Sequence, residues 1–379
     1  MRLLILNWRC PTNPRAGGAE FLTFEIAKRL AAAGNTVEWF SAAFPGSKAR
    51  EDLDGVRIVR AGRQWTVHLQ AFRHYFGNLR QRFDVVIDEV NTIPFFTPLW
   101  ADIPVVMFIH QLAREVWWYE SPFPVSAAGF LVEPLYLRCY SRTPILTVSP
   151  STETDLVKIG LNGPITIIPE GLEPVIVRAA PRETIPTFLY VGRISPSKRI
   201  THIVEAFRAF REAIGFGQLW LVGDGPERYV RRVRRLVDRL ALDSDVHFLG
   251  RISTVDKHRR MASAHALLLA SAREGWGMVV IESNACGTPA LVYDVPGLRD
   301  AVRHEQTGLI SVSTPTGLAS QMVRIWDDPE LHQRLSEEAL RWSSTFSFEK
   351  SAQAFLGALT QHLDKRGVDQ EKAKAGATR

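Results

Sequence analysis

Cysteine is scarce in this chain, and the three present, Cys10, Cys139 and Cys286, are odd in number and share no metal-ligand spacing. That pattern excludes a disulfide framework and a zinc cluster, and it implies a reducing compartment. Long apolar runs are missing too, since none approaches the roughly 20 residues that cross a bilayer. Arg2-Leu3-Leu4-Ile5-Leu6-Asn7 reads as a strand that turns polar at once, without the apolar core and small-residue cleavage site of a signal peptide. Nor is there a GxGxxG fingerprint, a zinc-finger spacing or a glycine-aromatic RNA motif, which disfavours a nicotinamide dehydrogenase and a nucleic-acid reader. A cytoplasmic enzyme is the expectation these absences leave.

What is present is globular: 46% of residues are hydrophobic and 23% charged. At 379 residues the chain exceeds one ordinary core and suits two domains. The formal net charge of +6 favours phosphate-bearing ligands or an anionic membrane surface.

Short apolar runs separated by helical stretches describe an α/β protein with parallel sheets covered on both faces. In the first half these runs are Leu3–Leu6, Val37–Phe40, Val56–Val59, Val85–Asp88, Val105–Ile109, Ile145–Val148 and Ile165–Ile168. The first strand leads through Pro11, Pro14, Gly17 and Gly18 into a helix with Leu22, Ile26 and Leu30 on one face, a Rossmann-like unit with glycines at its strand-to-helix turn. Pro174 to Pro186 reads as an interdomain linker. A second Rossmann-like unit begins at Thr187, its strand running into Gly192-Arg193-Ile194-Ser195-Pro196-Ser197-Lys198 before a helix with Ile203, Phe207 and Phe210 on one face. Arg193 and Lys198 flank that turn, so both cations can converge on one diphosphate.

Ala270 to Tyr293 carries the most chemistry. A buried strand ends there, Glu274-Gly275-Trp276-Gly277 turns the chain, and a helix begins near Met278-Val279 with Glu282 about one turn inside. Glycines allow close approach of a ligand, and the free N–H groups of a helix start suit phosphate. Carboxylates accept hydrogen bonds from hydroxyls, so phosphate plus several sugar hydroxyls, a nucleotide sugar, fits the constellation. Asp243-Ser244-Asp245 has a DxD spacing but sits before a strand and reads as surface turn chemistry, not a metal site.

The Glu-x7-Glu spacing of Glu274 and Glu282, followed by Ala285-Cys286-Gly287-Thr288-Pro289, closely resembles the donor-site motif of retaining glycosyltransferases of GT-B fold, specifically glycosyltransferase family 4. The resemblance implies two Rossmann-like domains facing a central cleft: 1–175 on the acceptor side, 176–347 holding the donor, a helix at 348–365 crossing back, and a flexible tail at 366–379. It implies Glu274 for the hexose hydroxyls, Glu282 for the ribose diol, and Arg193 and Lys198 for the diphosphate. It also implies Gly17 and Gly18 approaching that diphosphate, Arg251 near the base, and His110 beside the transferred sugar. Gly275, Trp276, Gly277, Met278 and Val279 complete the expected donor site. Neither a metal nor a cofactor beyond the donor itself is implied. Two departures stand out: Glu170 replaces the family's usual Asn before Gly171, and Arg199 replaces the usual Gly after Lys198.

Transfer of a hexose to a glycan or lipid-linked acceptor is the expected function. A nucleotide-sugar epimerase of the same architecture and a non-catalytic nucleotide-sugar binding protein are the alternatives, although a binding protein would not need Glu274 or His110. Trp65, Leu69, Phe72, Phe76 and Leu79 recur at helical spacing beside His68, Arg73, His74, Arg80 and Arg82. That stripe either packs on the first domain's sheet or touches an anionic membrane at the cytoplasmic face. Trp117-Trp118-Tyr119, Phe123 and Phe130 are expected in the same domain, as an addition to that patch.

Overall fold

The apolar runs form strands where the sequence places them, because a parallel strand covered on both faces needs apolar side chains in either direction. The computed structural model describes residues 1–79, 83–175 and 180–377, without the side chains of residues 78, 79 and 365–377. Arg80 and Arg82 lie outside the described residues, as do residues 176–179 of the expected linker.

The chain divides into two units. The first comprises Met1–Leu112, Leu131–Gly171 and Ser347–Arg379, and the second Ala113–Phe130 with Leu172–Phe346. In the first, β1 (Arg2–Leu6), β2 (Thr36–Ser41), β3 (Arg50–Leu53), β4 (Val56–Arg60), β5 (Val85–Val90), β6 (Val105–Ile109), β7 (Ile145–Thr147) and β8 (Ile165–Ile167) form one sheet ordered β3-β4-β2-β1-β5-β6-β7-β8. Every neighbouring pair is parallel except β3 with β4. β3 has no counterpart in the sequence expectation: Arg-Glu-Asp-Leu offers no apolar run, and the strand exists because Asp54 and Gly55, both at positive φ, close a tight hairpin at the sheet edge.

In the second unit β9 (Thr187–Val191), β10 (Gln218–Val222), β11 (Val246–Gly250), β12 (Ala266–Leu269), β13 (Ala290–Tyr293) and β14 (Gly308–Ser311) are all parallel, in the order β11-β10-β9-β12-β13-β14. Both sheets therefore grow outward in two directions from a first strand, as doubly wound sheets do. The order reverses between β1 and β5 in one and between β9 and β12 in the other. Loops leaving two strands at such a reversal diverge to opposite faces, and the gap between them is where ligands of open α/β sheets bind.

Two expectations are corrected, and one of two open readings of the aromatic stripe is set aside. The helix expected to end near residue 365 runs from Phe348 to Ala377, through the stretch expected to be a flexible tail; its Glu, Gln, Lys and Ala residues are good helix formers. It belongs to the first unit, where Phe348 is buried edge-on to Phe21 at 5.6 Å and Glu349 pairs with Arg29 at 2.8 Å. Trp117–Tyr119, Phe123 and Phe130, expected in the first domain, fall in the second unit. The aromatic stripe of the helix Val67–His74 does not pack on the sheet: Val67, Ala71 and Tyr75 are buried, while Trp65 is 80%, Leu69 51%, Phe72 42% and Phe76 43% exposed.

Candidate active site

In the second unit the turn after β9 and the turn after β12 flank the reversal of strand order, and they bring together two residues 76 apart in sequence. Lys198 Nζ donates to Glu274 Oε1, and Ser271 Oγ donates to the same oxygen at 2.6 Å. Both members of the ion pair stay partly open, with 22% and 16% of their side-chain surface exposed. Glu274 is braced from behind, since its N–H donates to Pro296 O at 3.1 Å and a Cβ on Gly297 would lie 2.2 Å from its carbonyl oxygen. Only glycine at 297 permits that approach. Gly277, at φ +115°, then starts the helix Met278–Ala285. Glu282 on this helix is paired, Lys257 Nζ donating to its Oε2 at 2.6 Å. Lysine is a compact charge on a flexible stem, so these pairs can open to let an anionic, hydroxyl-bearing ligand share the partners.

Arg193 is exposed and makes no hydrogen bond or ion pair through its guanidinium among the described residues; its carbonyl accepts from Tyr190 Oη at 2.7 Å. Arg251 is exposed just beyond β11, and no hydrogen bond joins it to Arg193, Lys198, Glu274 or Glu282 among the described residues. Gly275, Trp276, Met278 and Val279 are half-buried, and the Trp276 indole N–H is buried without a partner among the described residues.

In the first unit the reversal between β1 and β5 gathers a different set. Gly17 and Gly18 are exposed at the start of the helix Gly18–Ala32. Glu20 folds back to accept from Gly17 N at 2.7 Å, from Arg9 Nε at 2.7 Å and from Asn91 Nδ2 at 3.0 Å. Gly17 has an extended backbone, so its lack of a side chain leaves room and relieves no strain. His110, just past β6, is 7% exposed; Nε2 lies 3.4 Å from Glu89 Oε1 and 3.5 Å from Thr23 Oγ1, and its carbonyl accepts from Thr152 Oγ1 at 3.1 Å. Glu89 is fully buried, with neither oxygen accepting a well-formed hydrogen bond among the described residues, and burial holds its carboxyl above the usual range against the pull of His110. Glu170 is 4% exposed, and burial pushes it up to about 7, again opposed by His110. Asp88, the residue before Glu89, points to the other face of β5 and accepts from Phe95 N, Thr97 N and Oγ1, and Tyr140 Oη, holding the loop after that strand.

Lys257, Ser271, Glu89 and Glu20 escaped the sequence reading. An acid one residue beyond the run Val85–Asp88 expected from the sequence, as Glu89 is, is the one signal that marks a side chain near a sheet's carboxyl rim, and the structure includes it in the last residues of β5; Lys257 and Ser271 carry none. Among the described residues no group of three or more His, Cys, Asp or Glu side chains is placed to hold a metal ion. Asp245 is taken up by Arg211 at 2.9 Å.

Known proteins similar to this chain in sequence or in overall fold are numerous. Residues 16–175 match the family described as Glycosyltransferase Family 4, and residues 176–342 match Glycosyl transferases group 1. A Bacillus anthracis N-acetyl-alpha-D-glucosaminyl L-malate synthase is 33% identical over 152 residues, 40% of this chain and 39% of that protein. A Mycobacterium tuberculosis glycogen synthase is 25% identical over 99% of this chain and 97% of its own length. Among solved structures, sucrose-phosphate synthase from Thermosynechococcus elongatus superposes with a TM-score of 0.78 at 22% identity, covering 96% of this chain and 99% of that one. Anabaena HepE in complex with UDP-glucose does so with a TM-score of 0.74 at 18% identity, covering 95% and 100%. With two contiguous family matches over 16–342 and two doubly wound sheets, the chain belongs to the group 1 glycosyltransferases of family 4 and has their GT-B fold.

Proposed function

We propose that this glycosyltransferase moves a hexose from a nucleotide-diphosphate sugar, with retention at the anomeric carbon, to a glycan or lipid-linked acceptor. The observation that carries the reading is the meeting of Lys198 with Glu274 at the strand-order reversal of the second unit. A cation for phosphate and a carboxylate for sugar hydroxyls stand in contact there, each holding the other's place until a donor arrives. HepE, which shares the fold, binds UDP-glucose, and that supports a donor of this class.

In this reading Arg193 and Lys198 take the diphosphate, with the N–H groups at the start of Met278–Ala285 and the turn Gly275-Trp276-Gly277. Negative charge grows on the diphosphate as the glycosidic bond breaks, so cations placed in advance stabilise the transition state more than the ground state. Glu274 holds hexose hydroxyls, Glu282 the ribose diol, and Arg251 serves the base. For the first unit the assignments are Gly17 and Gly18 to the diphosphate and His110 to the hexose. The cations and helix start supply the neutralisation that a divalent ion would otherwise provide. Turnover should therefore persist in EDTA; complete loss restored by magnesium or manganese would refute this part.

The outward stripe Trp65, Leu69, Phe72 and Phe76, with Arg73 exposed beside it, supports a lipid-linked acceptor met at the cytoplasmic membrane surface. No helix among the described residues is long and apolar enough to cross a membrane. Cosedimentation with anionic vesicles should succeed at low salt, weaken at high salt and weaken in Arg73→Glu, because surface charge acts over only about 8 to 10 Å at physiological ionic strength. Failure to bind at low salt would turn the reading to a soluble acceptor. Mass spectrometry of reactions with a nucleotide-sugar panel, with and without glycan and lipid acceptors, tests the function itself: a changed sugar nucleotide without acceptor would identify an epimerase.

A further inference from the structure

The chain leaves the first unit after Leu112 and re-enters it at Leu131, and the residues between belong to the second unit. Within them the short helix Val116–Glu120 delivers polar side chains to the turn that carries Lys198. Glu120 Oε1 accepts from Ser197 N at 3.2 Å and from Ser197 Oγ at 2.5 Å. Tyr119 Oη accepts from Arg199 Nε at 3.0 Å and Nη2 at 2.6 Å, and its ring centroid lies 5.1 Å from the guanidinium carbon. Glu115 Oε2 accepts from Arg273 Nε at 2.8 Å, beside Glu274.

Arg199 makes these contacts from an awkward backbone. It sits at φ +49°, ψ +46°, the left-handed region where a side chain is disfavoured and glycine is at home. A large side chain kept in that conformation needs a use, and the one the structure shows is its hold on Tyr119. Ser197, Lys198 and Arg199 are thus fastened in succession to Glu120, Glu274 and Tyr119.

We propose that Ala113–Phe130 is a strap whose Tyr119 and Glu120 fix the backbone of Ser197–Arg199 and thereby position Lys198 for the donor's diphosphate, an inference that rests on the donor reading above. Tyr119, Glu120 and Arg199 are positioning residues: they touch the residues either side of Lys198 and act through it. Lysine carries its charge on four rotatable bonds, so a fixed backbone at its root removes part of the ordering cost at binding. The negative charge of Glu120 makes the sign of the effect diagnostic. A carboxylate that merely blocked the anion site would, once neutralised, let the diphosphate bind more tightly; a carboxylate that fastens the turn would, once weakened, let it bind less tightly.

The test is calorimetric titration of UDP, GDP and ADP into the full-length protein and into Tyr119→Phe, Glu120→Gln, Arg199→Gly and the Tyr119→Phe/Arg199→Gly double variant. Donor KM and kcat are measured on whichever nucleotide sugar turns over. Each single variant should raise Kd for the bound diphosphate about 5- to 20-fold, around or below the low end of one lost charge-assisted hydrogen bond because the effect reaches the diphosphate only through Lys198, with donor KM rising in step and kcat at saturation changing less. The double variant should be no worse than Arg199→Gly alone, since both changes remove one interaction. Arg199→Gly relieves the left-handed strain and Tyr119→Phe keeps the ring, so both should melt no earlier than the parent by more than a few degrees. Unchanged or tighter binding in Tyr119→Phe and Glu120→Gln, or additive losses in the double variant, would overturn the strap. Failure of the unmodified protein to bind any of the three diphosphates would overturn the donor reading, and the strap's role with it.

Discussion

In the second unit, Lys198 and Lys257 each hold a glutamate at the carboxyl ends of the strands, and all four side chains remain about one-fifth exposed. In the first unit, Glu89 within the last residues of β5 and Glu170 just beyond β8 take comparable places, but they are buried, and three of their four carboxylate oxygens are buried without a hydrogen-bond partner among the described residues. The two sheets share one winding rule, so topology does not cause this difference. Paired, half-exposed charges can exchange partners at small cost, which suits a surface that must take up and release a charged nucleotide. Buried acids shift toward their neutral form instead, and they shape the surroundings of a neighbour such as His110.

Removing a cation from the exchangeable set should have the largest effect. Lys198→Ala or Arg193→Ala should lower transfer by about 30-fold to several thousand-fold, the 2 to 5 kcal/mol typical of truncating one member of a desolvated charge pair, while the protein stays folded. Full turnover and unchanged donor affinity in both variants would break the comparison on the donor side.

The buried set makes its own prediction, in stability and with a defined pH window. Burial pushes the Glu170 carboxyl up to about 7 in the folded chain, against an ordinary value of about 4.5. Below about pH 4.5 both states are protonated; between 4.5 and 7 the folded state binds more protons, so stability falls as pH rises, and above 7 the full cost of about 3 kcal/mol is present. Glu170→Gln removes the titration. Its melting temperature should exceed the parent's at pH 8 and match it near pH 4.5, as followed by thermal melts across that range. An equal difference at both pH values would mean that Glu170 is not held neutral by burial.

The smallest effect separates the two paired glutamates. Glu282→Ala should weaken bare nucleoside diphosphate by about tenfold, the scale of one charged hydrogen bond. Glu274→Ala should spare that affinity and damage sugar transfer. Equal losses in calorimetry would merge the roles assigned to the two.

How far the fold is legible follows from where its determinants lie in the chain. β1, β5, β6, β9 and β12 are legible because each buried strand is a local apolar run. β3 is not, because a polar edge strand is fixed by its turn and its neighbour β4. Nor is the orientation of the helix Val67–His74, where the stripes Trp65/Leu69/Phe72/Phe76 and Val67/Ala71/Tyr75 share one period and the smaller residues are the ones inside. Glu274 and Glu282 are legible because loop and helix start lie on one continuous segment. Lys257, which joins Glu282 from a preceding helix, carries no local mark, and Tyr119 and Glu120 acquire meaning only once Ala113–Phe130 is seen to belong to the second unit.

The most direct test of the central claim is donor turnover by the purified full-length chain, with a nucleotide-sugar panel and glycan and lipid acceptors, reading released nucleoside diphosphate and glycoside product together. The account predicts stoichiometric diphosphate and glycoside with at least one donor, abolished or strongly reduced by Lys198→Ala. Equal turnover with Lys198→Ala, or the absence of any donor that is bound or consumed, would contradict it.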